Sequence, residues 1–140
     1  MAELVQFLLH IWQLPQNLLG IMLVLITDAR HAEHLDYWWT DKFSFGVSLG
    51  VYIVFGFKGN GIKVETLHHE QGHQKQSKYL GWFYLLIIGL PSLLGNIYDR
   101  IAHKNWSYKD RVTWYYNQPW EKWADKLGGV NRWQNSNKSL

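Results

Sequence analysis

Cysteine is absent from this 140-residue chain, which excludes disulfides, iron–sulfur clusters and any thiolate zinc site and leaves the redox compartment unread. A metal bound here must take nitrogen and oxygen ligands. Proline is scarce, at three residues, and no low-complexity tract or internal repeat divides the chain. One domain over residues 1–130, with a polar tail at 131–140, is therefore expected. The net charge of +3 and the pI near 9.1 come from scattered residues, not from a basic run, which gives nucleic-acid binding little support. No lysine or arginine precedes the first apolar run, so that run does not read as a secretory signal.

What is abundant is aromatic. Nine Trp and eight Tyr occur, and Trp12, Trp38, Trp39, Trp82, Trp106 and Trp114 sit beside hydrophobic stretches. Such rings favour membrane–water interfaces, although they also fill cores. Residues 4–27 and 79–98 contain no Asp, Glu, Lys or Arg, against a spanning requirement of about 20 apolar residues. The first stretch holds Gln6, His10, Gln13, Pro15, Gln16 and Asn17, so it reads as two helices, about 3–13 and 15–27, with Pro15 opening the second. The second stretch is interrupted by Gly89-Leu90-Pro91. It reads as a buried core helix, a re-entrant hairpin turning near Pro91, or an in-plane interfacial element. Attachment to a membrane or partial embedding in it is expected, rather than a clean span. A soluble domain with a very apolar core is the alternative, given a mean hydropathy of −0.25.

His69-Glu70-Gln71-Gly72-His73 fills the H-E-x-x-H pattern. On an α-helix positions i and i+4 lie about 40° apart in azimuth and about 6 Å apart along the axis, so two imidazoles converge on one tetrahedral ion. Glu70 points roughly 100° away from His69, at the rim of such a site, where it can take a proton from water. The competing reading is a solvated, histidine-rich helix face, with His68, Gln74 and Gln76 as its neighbours. A zinc site needs a third protein ligand and, if catalytic, an open fourth position. Glu121 is a candidate. It lies in Gln118–Gly129, a segment that predicts a helix with Pro119 in its first turn and a glycine pair as its stop. Asp125 shares its face and can accept the second N–H of a ligating histidine. Alone, this pair reads better as surface acids, each flanked by lysine.

Together, H-E-x-x-H followed some fifty residues later by Glu-x-x-x-Asp, here in the form Glu-x-x-Ala-Asp, resembles the gluzincin group of zinc metallopeptidases. In a small hydrophobic chain it is similar to the membrane-embedded CAAX-processing peptidases, and to small bacterial proteins with a His-Glu-x-Gly-His helix and a late Glu-x-Trp-Ala-Asp-Lys-Leu-Gly-Gly segment. The resemblance covers residues 64–77 and 115–130. It implies zinc held by His69, His73 and Glu121, Glu70 as general base and acid, and Asp125 as a partner of a ligating histidine. It further implies hydrolysis of a peptide or protein substrate at a bacterial membrane or cell envelope. Tyr115, Tyr116 and His103 are candidate catalytic donors to the oxyanion.

Elsewhere, residues 28–42 are polar. His31, Glu33, His34 and Asp36 have the look of a second metal cluster, but nothing completes it and a solvated loop is expected. Residues 43–57 predict a β-hairpin turning around Ser48-Leu49-Gly50, with a loop at Lys58-Gly59-Asn60-Gly61 and a helix from about Ile62 to Leu80. Gly72 inside that helix costs about 1 kcal/mol relative to Ala, which points to close packing near the site. The expected architecture is thus α+β and mainly α: zincin-like, with a small antiparallel hairpin, an active-site helix and membrane-associated helices over 1–27. The expected function is a zinc-dependent hydrolase in which Glu70 assists attack of water on a peptide carbonyl. The alternative is a non-enzymatic, membrane-associated interaction or scaffold protein, with or without a structural zinc.

Overall fold

The computed structural model describes residues 1–33, 35–57 and 63–132. His34, the loop at 58–61, Ile62 and the tail beyond 132 lie outside the described residues. The fold is α+β and mainly helical. Helices α1 (Ala2–Trp12) and α2 (Leu14–Ile26) are bent by 83° at their junction. Pro15 sits in the first turn of α2, where a missing N–H leaves no bond unmade. Strands β1 (Arg30–His31), β2 (Trp38–Thr40), β3 (Gly46–Leu49) and β4 (Tyr52–Gly56) form one sheet in the order β1-β2-β4-β3. Helix α3 (Val64–Leu80) follows. After a tight turn at Gly81–Phe83 and a wide helical turn at Leu85–Gly89 come α4 (Leu90–Ala102), α5 (Tyr108–Tyr116) and α6 (Pro119–Gly128). Ser107 caps α5 by accepting from the Asp110 N–H at 3.1 Å. Gly129, at φ 72°, closes α6 in the left-handed conformation that glycine adopts without steric cost.

The sheet is larger than the expected hairpin and is mixed. β3 and β4 pair antiparallel, but β2 runs parallel to β4 and antiparallel to β1. Residues 28–42 are thus not wholly a solvated loop, because Arg30–His31 and Trp38–Thr40 add two strands. A three-residue strand is too short to show an alternating pattern, and its tryptophans read as interface anchors. The hairpin turn falls at Gly50-Val51, two residues later than Ser48. Gly50 takes the positive φ of 64° that two-residue turns favour, and Asn17 Oδ1 accepts the Val51 N–H at 3.0 Å.

Residues 79–98 do not form a hairpin at Pro91. The chain breaks earlier, at Gly81 (φ 52°), whose missing Cβ makes room for the Trp12 ring. Leu85–Ala102 then runs as one helix, with Pro91 in the first turn of α4. The preceding wide turn absorbs the proline, which lacks an N–H to donate. Nor is this a core helix: Leu85–Ala102 is long and apolar enough to cross a membrane, yet only 11% of it is buried.

That exposure belongs to a wider inversion of polarity. The apolar core is Ile53, Val54, Phe55, Tyr84, Ile88 and Ala124, whereas Gln13, Gln16, Asn17, Gln76, Ser77, His69, His73 and Glu121 are all buried. Helix α2 buries Gln16, Asn17 and Gly20 and exposes Leu18, Met22 and Leu25. Helix α4 buries Gly95 and Asp99 and exposes Leu93, Leu94, Ile97 and Ile101. The first two helices are attached by hydrogen bonds, not by leucines. Gln16 Nε2 donates to Ser77 Oγ (2.9 Å) and Gly81 O (3.0 Å), and Ser77 Oγ donates to Gln13 Oε1 (2.7 Å). The Trp12 and Trp82 indoles donate to Lys78 O and Ile11 O.

Candidate metal centre

Helices α3 and α6 touch where side chains are missing. A Cβ on Gly72 would stand 2.0 Å from Ala124 O, and one on Gly128 would stand 2.0 Å from His68 O. At this separation the polar stripe of α3 meets the first turns of α6. Glu121, in that first turn, also faces the positive end of its helix. Its Oε2 lies 3.0 Å from His69 Nε2 and 3.2 Å from His73 Nε2. All three side chains are buried, and one ligand atom from each lies within 4.8 Å of the others. In a tetrahedral shell with bonds of about 2.0–2.1 Å, neighbouring ligand atoms are separated by about 3.3 Å, so the observed spacings suit one ion.

The outer nitrogens of the two imidazoles are already committed. His69 Nδ1 donates to Asp125 Oδ1 at 2.7 Å, and His73 Nδ1 donates to Gln76 Oε1 at 2.7 Å. The Gln76 amide is oriented by its own Nε2, which donates to Trp120 O at 2.8 Å. Both partners present oxygens that only accept, so the neutral imidazoles carry their protons on Nδ1 and turn Nε2 lone pairs inward. Two lone pairs and a carboxylate oxygen converge on one point, and a cation must balance them. Asp125 is anchored by Arg132, whose Nε and Nη2 reach its two oxygens at 2.7 and 2.9 Å.

Without a metal, a proton supplies that cation. Burial opposes a charge on His69, but hydrogen bonds to Asp125 and Glu121 outweigh it and hold the imidazole up at about 9. Burial likewise opposes ionisation of Glu121, yet the two histidines hold it well below the usual carboxylate range. Zinc and this proton compete. At pH 7 zinc uptake is expected to release about one proton, with affinity rising about tenfold per pH unit until His69 is deprotonated near 9. Titration calorimetry in buffers of different ionisation enthalpy checks this, and a pH-independent affinity between 6.5 and 9 contradicts it. Since the folded-state value lies above the ordinary 6.5, the His69 contribution to metal-free stability is complete below that pH and lost as pH rises through about 9.

Glu70 differs from its neighbours. It is buried against Gly46 of β3, where a Cβ would meet its Oε1 at 2.7 Å, and it forms no hydrogen bond among the described residues. Burial raises its carboxyl above the usual range, against the pull of His73 and His69. The nearby histidines and Arg132 favour its charged form, whereas Glu121 opposes it.

The structure brings His69, His73 and Glu121 together, with Asp125 hydrogen-bonded to His69 and Glu70 buried on the same stretch of α3. The three donors separate. Tyr115 O–H is engaged by Ser92 Oγ at 2.8 Å. Tyr116 packs its ring edge on His69 at 5.1 Å, with the Arg132 guanidinium 3.5 Å above its face. The Tyr116 hydroxyl makes no hydrogen bond among the described residues, and burial keeps it protonated, with its pKa pushed up to about 12. His103 belongs to another cluster: its Nδ1 donates to Asp99 at 3.1 Å and its ring stacks on Trp106 at 3.8 Å, so none of these contacts reaches the centre. Three residues escaped the sequence reading, namely Gln76, Arg132 and Ser92. Ser92, a lone hydroxyl inside an apolar run, was the most detectable. Apart from His69, His73 and Glu121, no group of metal-ligating side chains is found among the described residues, and His31 packs edge-on against Trp38. No protein family, curated protein or solved structure matches the chain, so its chemistry rests on these side chains.

Proposed function

We propose that the protein is a zinc-dependent hydrolase of gluzincin type that acts on peptide bonds at a membrane. The observation that carries this reading is Glu70, a buried carboxylate without a hydrogen-bond partner beside two imidazoles whose free nitrogens converge on Glu121. His69, His73 and Glu121 would hold the zinc, which supplies Lewis acidity and lowers the pKa of water from 15.7 toward about 7. Glu70 takes the proton of the attacking water on its carboxylate and returns it to the leaving amine. Of the three donors Tyr116 is the one proposed to stabilise the oxyanion, supported by the packing of its ring on His69 and by a hydroxyl without a hydrogen-bond partner among the described residues. Strand β3 lies at the outer edge of the sheet and against Glu70 at Gly46. Such an edge holds an extended peptide by backbone pairing.

Glu70→Gln is expected to keep stoichiometric zinc and lose about 10²–10⁴-fold in turnover, while His73→Ala loses both. Zinc content and cleavage of a peptide library check the pair together. One observation favours a second reading: every ligand is buried, as in a closed structural site. A structural zinc predicts that Glu70→Gln changes neither zinc content nor any activity of the protein.

The membrane assignment rests on the inverted polarity. Helix α1 buries none of its residues and α2 and α4 bury their polar faces, so Leu4, Phe7, Leu18, Met22, Leu25, Leu93, Leu94 and Ile101, with Trp82, Phe83 and Leu86 of the turns before α4, are left on the outside. In water that surface is unfavourable by about 25 cal/mol per Å², whereas a hydrocarbon layer accommodates it. Co-flotation with phospholipid vesicles is expected for the wild type and is expected to be lost in Leu86→Glu/Leu93→Glu. A wild-type chain that stays soluble and monomeric below the vesicles refutes it.

A further inference from the structure

Glu121 has two oxygens, and they are used differently. Oε2 faces both histidines, at 3.0 and 3.2 Å, whereas Oε1 accepts a hydrogen bond from Ser92 Oγ at 2.6 Å. Ser92 Oγ is in turn 2.8 Å from Tyr115 OH. The direction of this chain follows from its end. A carboxylate only accepts, so the single Ser92 proton goes to Oε1, and Tyr115 must donate to Ser92. The relay Tyr115 O–H to Ser92 O–H to Glu121 Oε1 is fully directed. It is also sheltered, since Glu121 is 0% exposed and burial holds Tyr115 in its protonated, donating form.

We propose that Ser92, oriented by Tyr115, is a positioning residue that keeps Glu121 a one-oxygen ligand and so leaves a coordination position open at the metal centre. This rests on the metal reading above. A carboxylate can bind a cation through one oxygen or two. Two imidazoles and one carboxylate oxygen leave a four-coordinate ion with a vacant position, and a second carboxylate oxygen fills it. Without the Ser92 proton, Oε1 loses its 2.6 Å donor, and only the neighbouring Tyr115 hydroxyl is left to compete with the ion for it. A single hydroxyl on α4 thus separates a site that admits an outside ligand from one that does not. Ser92 lies on the inward stripe of α4, whose opposite face carries Leu90, Leu93, Leu94 and Ile97. The hydroxyl is therefore the point at which this apolar helix reaches the ligand set.

Cobalt(II) in place of zinc reports coordination through its visible spectrum, and azide titrated onto the cobalt protein reports a vacant position without any substrate. The wild type is expected to bind one cobalt per chain and to change its spectrum on azide binding. Ser92→Ala is expected to keep the cobalt, shift the azide-free spectrum toward higher coordination and lose about tenfold or more in azide affinity. Ser92→Thr, which restores the hydroxyl, recovers the wild-type spectrum and azide response. Tyr115→Phe weakens azide binding several-fold and carries the test if Ser92→Ala fails to fold. A cobalt spectrum and azide affinity unchanged in both Ser92→Ala and Tyr115→Phe overturn the positioning role while leaving the metal reading intact. Loss of cobalt in Ser92→Ala that Ser92→Thr does not recover overturns it as well, marking Ser92 as structural. A wild type that binds neither cobalt nor zinc overturns the metal reading itself.

Discussion

Glu121→Ala is expected to abolish stoichiometric zinc binding, lowering affinity by more than about 100-fold, since removing even the outer hydrogen-bond partners of ligands costs about 10–100-fold. Among the described residues it is the carboxylate that meets the Nε2 atoms of both imidazoles, and it is fully buried. Alanine leaves two neutral nitrogens and a hole. Elemental analysis of variant and wild type after zinc addition and dialysis reads the effect directly, and a variant retaining one zinc per chain sinks the proposed centre. Without metal the same change should also destabilise the fold in a pH-dependent way. Below about pH 6.5 it strands a protonated His69 beside Asp125 alone, and breaking a buried pair of this kind costs about 3–5 kcal/mol. As pH rises His69 sheds its proton, and the penalty shrinks toward the cost of the cavity.

Gly72→Ala is expected to break the site from a distance, and against helix propensity. In an isolated helix the substitution is favourable by about 1 kcal/mol. Here the new Cβ would stand 2.0 Å from Ala124 O and 2.7 Å from Ala124 C, and both atoms belong to backbone that no rotamer change can move. Helix α6 must retreat from α3. Overpacking of this kind costs typically about 1–3 kcal/mol, so the variant should lose stability on balance. A retreat of even 1 Å carries Glu121 away from both imidazoles, so zinc affinity should fall although no ligand has changed. Urea unfolding followed by zinc titration separates the two effects. A variant as stable as the wild type with unaltered zinc affinity shows that the helices do not pack as described.

Much of the site was legible because its parts are local. The i, i+4 spacing of His69 and His73 puts them on one face of any α-helix, and Glu121 and Asp125 share a face in the same way. Proline in the first turn marked the starts of α2 and α6, and glycine the end of α6, nearly to the residue, because both act on the backbone of their own turn. The two extra strands were less legible. Trp38–Thr40 is only three residues long, and its strand character comes from pairing with Val54, Phe55 and Gly56 of β4 rather than from its own pattern. Of the courses expected for residues 79–98, the buried core helix and the hairpin at Pro91 fail for a related reason: α4 continues past Pro91 with little of it buried, and α5 makes the return beside it, bringing Tyr115 to Ser92.

The sequence by itself determined the candidate ligands His69, His73 and Glu121, the helices that carry them and the room left at Gly72, because each depends on backbone geometry within one or two turns. Only the tertiary structure decided that Gln76 and Arg132 orient the histidine system, that Ser92 takes the second oxygen of Glu121, and that the leucines of α2 and α4 face outward. Those pairings join residues of different elements or different helix faces. They follow from which faces pack, and in this chain the polar faces pack inward, because the buried carboxylates and imidazoles take their hydrogen-bond partners from the elements packed against them.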